Sequence, residues 1–137
     1  MTDYKLDISA LKKAQASLKE IIVRYNKESH DLAIRDAVIQ RFEYTYSLAL
    51  KTLRRFIELN ADEPFLVDGM SFNDLIRTSS EIGLIISDLE KWDEYRLARN
   101  LTSHTYDEKK AIEVVNVVLK FEKEIDFLIE KLEGKLK

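Results

Sequence analysis

Apolar residues recur along most of this chain at alternating intervals of three and four, the period of a helix that buries one stripe. Leu11, Ala14, Leu18, Ile21 and Tyr25 form the first such stripe, and Asp7 stands where an N-cap is expected. The polar stretch Asn26 to Asp31 breaks the pattern. Val38, Phe42, Tyr46, Ala49, Leu53 and Phe56 then repeat it, which predicts a long helix over roughly residues 32–59, stopped by Asn60-Ala61-Asp62-Glu63-Pro64. Ser71 followed by Asp74 has the form of a capping pair and predicts a short helix ending near Gly83. From Ser87-Asp88 to about Leu101, the residues Leu89, Trp92, Tyr95 and Leu97 carry a less regular stripe. The last pattern is the clearest: Val114, Val118, Phe121, Ile125, Leu128 and Leu132 alternate four and three, with Glu108 early and Gly134 expected just past the end. No period-two alternation interrupts these elements. Three long amphipathic helices and one or two short ones predict an all-α antiparallel bundle.

Composition narrows the picture further. With 137 residues the chain is expected to be a single domain, residues 1–137, built on one core. Three glycines and one proline are too few for the turns of a β-sandwich or barrel. Apolar residues at 45% and charged residues at 34% exclude a disordered tail, and no membrane association is expected. A net charge of −3 argues against a general DNA-coating protein. The absence of cysteine removes disulfides, thiolate metal sites and cysteine nucleophiles together. The start MTDYKLDISALKK lacks a basic segment followed by an apolar run, so a cytoplasmic protein is expected by default.

Little of the sequence carries chemistry. There is no Gly-rich phosphate loop, no His-Glu-x-x-His and no Gly-x-Ser-x-Gly, so neither a metal nor a cofactor is expected. His30 falls in the polar break between the first two helices and reads as solvated. Lys51, Arg54 and Arg55 read as a solvated basic face, and Glu43, Asp74, Asp88 and Glu90 as acids on exposed helix surfaces. His104 differs in its company, the run Arg96-Leu97-Ala98-Arg99-Asn100-Leu101-Thr102-Ser103-His104-Thr105-Tyr106-Asp107 between two helices. Ser103, Thr105 and Asp107 are explained as caps that accept from free amides at a helix start. Capping does not call for Arg99, Asn100, His104 and Tyr106. A guanidinium that bridges phosphate oxygens, with an imidazole that moves protons near neutral pH, suits a phosphodiester and needs no metal. Arg96 and Arg99 are expected to make a local positive cleft that the net charge hides.

Arg99-Asn100-Leu101-Thr102-Ser103-His104-Thr105-Tyr106 resembles the R-x4-H-x-Y motif of HEPN domains. Ile39 to Tyr46 followed by Lys51-Thr52-Leu53, and Ser71 to Ile76 followed by Gly83-Leu84-Ile85, resemble the nucleotidyltransferase substrate-binding protein family within that group. The resemblance runs from about Leu6 to Leu132; Ser47 and Leu50 depart from it where relatives often carry an acid and a tryptophan. It implies an up-and-down four-helix bundle with a short extra helix, a homodimer, and a minimal nucleotidyltransferase partner encoded nearby. The first function it implies is a substrate-binding or regulatory partner that holds nucleotide or nucleic-acid phosphate at the motif cleft. The alternative is a metal-independent ribonuclease toxin silenced by AMP transfer to Tyr106; a purely structural bundle is the third. Carried over by the motif, His104 transfers protons, Arg99 stabilises phosphate, Asn100 orients, Tyr106 accepts AMP, and Phe42, Glu43 and Arg96 support them.

Overall fold

The computed structural model describes residues 6–63 and 65–136. Six helices follow one another: α1 (Ser9–Lys27), α2 (Leu32–Asn60), α3 (Phe65–Asp68), α4 (Phe72–Glu81), α5 (Leu89–Leu101) and α6 (Glu108–Lys135), with a 3-10 turn (Thr102–His104) after α5. No strand occurs among the described residues. α1, α2, α5 and α6 form the up-and-down four-helix bundle, and α3 and α4 make the connection from α2 to α5.

Local chemistry sets most of the helix ends. The Asp31 carboxylate accepts from the N–H groups of Ala33 and Ile34 at the start of α2. Ser71, Asp88 and Asp107 each accept from a first-turn amide of α4, α5 and α6. Asp7 accepts from Ser9 N–H, but Ile8 occupies the N-cap position of α1, so the carboxylate works one residue farther out than expected. α2 ends at Asn60 with Ala61 extended; the stop assigned to Pro64 lies outside the described residues. Gly83 adopts φ +78 just after α4, a left-handed conformation that only glycine takes without strain. Gly134, expected beyond α6, lies inside its last turn.

The predicted stripes meet in one core. All six stripe residues of α6 are fully buried, as are Val38, Phe42, Ala49 and Leu53 of α2, and Leu18 of α1. Phe121 sits at the centre, edge-on to Phe42 at 5.0 Å and to Tyr95 at 5.3 Å, with Trp92 at 6.3 Å and Tyr46 at 6.1 Å. Edge-to-face rings add attraction beyond the area they bury. Leu97, expected in the α5 stripe, is 59% exposed; the inward face is instead Trp92, Tyr95 and Ala98, spaced by threes. This α5 stripe is short and mixed, so a single outward leucine blurs its period.

Polar contacts tie α1 to α6 in antiparallel register. Gln15, itself buried, donates to the Glu122 carbonyl and to Asp126, while Lys19 pairs with Glu122 and Asp126 and Lys12 with Glu133. No helix among the described residues is long and apolar enough to cross a membrane.

Candidate functional site

The site begins where α5 gives out. α5 tightens into the 3-10 turn Thr102–His104, which packs on α2 and α6, and Asp107 then caps α6. The hydroxyls in this turn act as donors: Thr102 to the Arg99 carbonyl at 2.7 Å, Thr105 to the Thr102 carbonyl at 3.2 Å, and Ser103 to the Asn100 carbonyl at 3.5 Å. Of the three residues expected to cap the next helix, Asp107 does so. Ser103 and Thr105 serve the preceding helix end instead, because its last carbonyls are the groups left without helical partners.

These bonds account for the small hydroxyls, and the larger polar groups are engaged only in part. Arg99 is held from two sides: its Nη1 donates to Thr102 Oγ1 at 3.1 Å and lies 3.6 Å from Glu43 Oε2. The side chain nevertheless stays 40% exposed, so part of the guanidinium fork faces solvent. His104 is exposed and Tyr106 is 86% exposed, their rings 6.2 Å apart and inclined at 70°. Asn100 is exposed beside them in sequence. Imidazole, phenol and guanidinium thus occur within eight residues, on the last turn of α5 and the connection that follows.

The supporting residues divide. Glu43 reaches Arg99, as its half-buried place on α2 allows. Phe42 faces the opposite way, fully buried against Phe121, and contributes by fixing α2 against α6. Arg96 is engaged elsewhere, 3.1 Å from Asp93 and with its guanidinium 4.6 Å over the Phe72 ring of α4. The expected positive cleft is therefore locally balanced: Asp93 answers Arg96, and Glu43 answers Arg99. Of the basic cluster on α2, Arg54 donates to the carbonyls of Val67 and Met70 and so fastens α3, Arg55 pairs with Glu58, and Lys51 is exposed. Ser47 is exposed and Leu50 half-buried. His30 is exposed in the α1–α2 connection. No group of three or more potential metal-ligating side chains lies together among the described residues.

Tyr46 is buried in its stripe as expected, whereas the buried Glu124 was not foreseen. Burial pushes the Tyr46 phenol up to about 12, against the pull of Arg96 and Arg99, so its hydroxyl lies within the field of both guanidinium groups. On α6, the buried carboxylate of Glu124 accepts from Ile86 N–H at 2.8 Å, Ser87 N–H at 3.4 Å and the Tyr95 hydroxyl at 3.2 Å. Burial and this carboxylate both raise the Tyr95 phenol. Glu124 sits next to Ile125 of the apolar stripe, and the only signal in the sequence is an acid at that inward edge.

Comparison with known proteins adds a frame to this geometry. A model of the family described as nucleotidyltransferase substrate binding protein like matches residues 6–134. A protein of Haemophilus influenzae named probable ribonuclease HepT is 36% identical over 141 residues, covering 96% of this chain and 94% of that protein. A solved structure from the same organism, described as the fold of a substrate binding domain of a nucleotidyltransferase, superposes with a TM-score of 0.85 at 32% identity. It covers 93% of this chain and 99% of its own.

Proposed function

The chain belongs to the nucleotidyltransferase substrate binding protein like family, and on that premise we propose that it is an RNA-cleaving partner of a small nucleotidyltransferase. The transferase, encoded nearby, controls it by transferring AMP to Tyr106. The observation that carries this reading is the exposure of His104 and Tyr106 on the turn that follows Arg99, whose guanidinium is positioned by Glu43 and Thr102. The similarity to the Haemophilus influenzae protein named probable ribonuclease HepT supports the same reading.

The chemistry follows from what each group can do. The His104 imidazole removes the proton from a ribose 2′-hydroxyl as that oxygen bonds to the adjacent phosphorus. The bond from phosphorus to the 5′-oxygen breaks, and the leaving oxygen takes a proton from a protonated imidazole. The products are a 2′,3′-cyclic phosphate and a 5′-hydroxyl. Arg99 offsets the charge that builds on the phosphorane oxygens, and Glu43 keeps its fork in place. Each chain has a single histidine in the motif, so a homodimer that faces two motif turns supplies both the base and the acid. AMP transfer has its own balance: the Tyr106 oxygen bonds to the α-phosphorus of ATP, its phenolic proton passes to solvent, and pyrophosphate leaves. The new phosphodiester and adenosine then stand beside His104 and obstruct RNA.

A partner that only holds substrate for the transferase needs the same exposed surface without proton transfer. Two assays separate these readings. Purified protein is mixed with RNA in chelator; cleavage by wild type that disappears in His104→Ala supports the nuclease, whereas equal traces from both remove it. With ATP, magnesium and the neighbouring transferase, intact mass rises by AMP units in wild type and stays constant in Tyr106→Phe. Co-purification with the transferase and two silent assays would leave the holding role alone.

A further inference from the structure

The motif surface continues into a groove of about 310 Å³ between the N-terminal half of α2 and the turn after α5. Tyr106 and Thr105 line it on the turn side, and Leu32, Arg35, Asp36 and Gln40 on the α2 side. Several of these residues are exposed. Leu32 is 57% exposed, an apolar side chain on an open surface. The Nε of the half-buried Arg35 has no acceptor among the described residues, as is also true of Gln15 Oε1 and Trp92 Nε1 elsewhere in the bundle. Asp36 and Gln40 are exposed, and neither serves as a cap.

The composition of the walls selects a ligand class. A phenol ring and a leucine offer apolar faces to a flat molecule; guanidinium, carboxylate and carboxamide offer donors and acceptors to its edge. A bare phosphate is a poor occupant, because the carboxylates of Asp36 and Glu43 line the same groove and repel an anion. A nucleobase with its ribose answers every feature: it is flat, uncharged, and carries both donors and acceptors on its rim.

We propose that this groove is a nucleoside subsite, receiving the base and ribose of the RNA nucleotide next to the phosphate held by Arg99 and His104. The assignment rests on the ribonuclease reading for its substrate, but its test does not depend on turnover. The full chain carrying His104→Ala, which cannot act on the ligand, is titrated separately with AMP, GMP, CMP, UMP and inorganic phosphate while amide and side-chain NMR shifts are followed.

The expected result is saturable binding of at least one mononucleotide, with shifts centred on Arg35, Gln40 and Thr105, and no comparable response to inorganic phosphate. Adding Asp36→Asn with Gln40→Ala should weaken that binding about fivefold or more, as should Tyr106→Ala but not Tyr106→Phe, since the ring provides the stacking face. Lys51→Ala, on the far half of α2, should change nothing. Saturation by none of the four nucleotides, or binding that the groove variants leave intact, or phosphate binding as well as a nucleotide, overturns the subsite. Binding in the groove by a protein whose wild type cuts no RNA would keep the subsite as a nucleotide site and retire the nuclease. Cleavage with an empty groove would do the reverse.

Discussion

One turn of α5 separates two polar environments that work in opposite ways. Tyr95 is buried, and its hydroxyl closes a network in which Glu124 also accepts from Ile86 and Ser87. Arg99, four residues on, is half-exposed and leaves part of its fork open, with His104 and Tyr106 exposed after it. In the first environment the Glu124 carboxylate is engaged by three donors of the fold, so this network holds the α4–α5 connection against α6. In the second, the short hydroxyls consume helix-end carbonyls, Arg99 is held only in part by Thr102 and Glu43, and His104 and Tyr106 stay exposed. Exposed polar groups on a turn fixed by its neighbours are what a ligand can use.

That contrast can be broken by substitutions that should affect activity on one side and stability on the other. His104→Ala should lower RNA cleavage between about a hundredfold and ten-thousandfold, the usual worth of a positioned proton-transfer group. Its urea midpoint should stay close to wild type, since an exposed residue without partners contributes within about 0.5 kcal/mol. Loss of stability and activity together would place His104 in the structural class with Glu124. The converse variant, Glu124→Ala, should cost about 3 kcal/mol of unfolding free energy by orphaning two amides and a phenol, read from chemical denaturation. A cost near zero would show that water replaces the carboxylate and that the network is not closed.

Tyr46 sharpens the same comparison through pH. Its phenol is raised from 10.0 to about 12 in the folded chain, chiefly by burial. The unfolded chain therefore loses this proton first, and the native state holds more protons between these two values. Stability is fully present below about pH 10 and falls as pH rises towards 12, by about 2–3 kcal/mol for this group. Denaturant midpoints measured from pH 9 to 11 should fall in wild type and fall less in Tyr46→Phe, with the remaining slope assigned to Tyr95. An equal slope in both would mean that Tyr46 is reached by solvent. The smallest effect is expected at Gly134, inside the last turn of α6, where an added Cβ meets nothing within 4 Å. Gly134→Ala should stabilise by about 0.5 kcal/mol without touching cleavage, which calibrates a position belonging to neither environment. A destabilising result would indicate a tertiary contact at that end.

Much of this molecule was legible from residue order, and the reason is that helices are local. The α6 stripe from Val114 to Leu132 is buried as its spacing requires, and Ser71 and Asp107 cap α4 and α6 as their place in the sequence suggests. The motif was legible for a different reason: Arg99, His104 and Tyr106 lie within eight residues, so no long-range contact was needed to suspect them. Only the folded chain decided which of their neighbours matter. Glu43 meets Arg99 across 56 positions, Arg96 turns to Asp93 and Phe72, Ser103 and Thr105 serve the helix behind them, and Leu97 faces outward. Glu124 and the groove beside Tyr106 belong to the same category, because both are made where separate helices meet. Periodicity specifies which face of a helix is buried; it carries no information about which polar group on another helix will be found opposite, and packing alone supplies that.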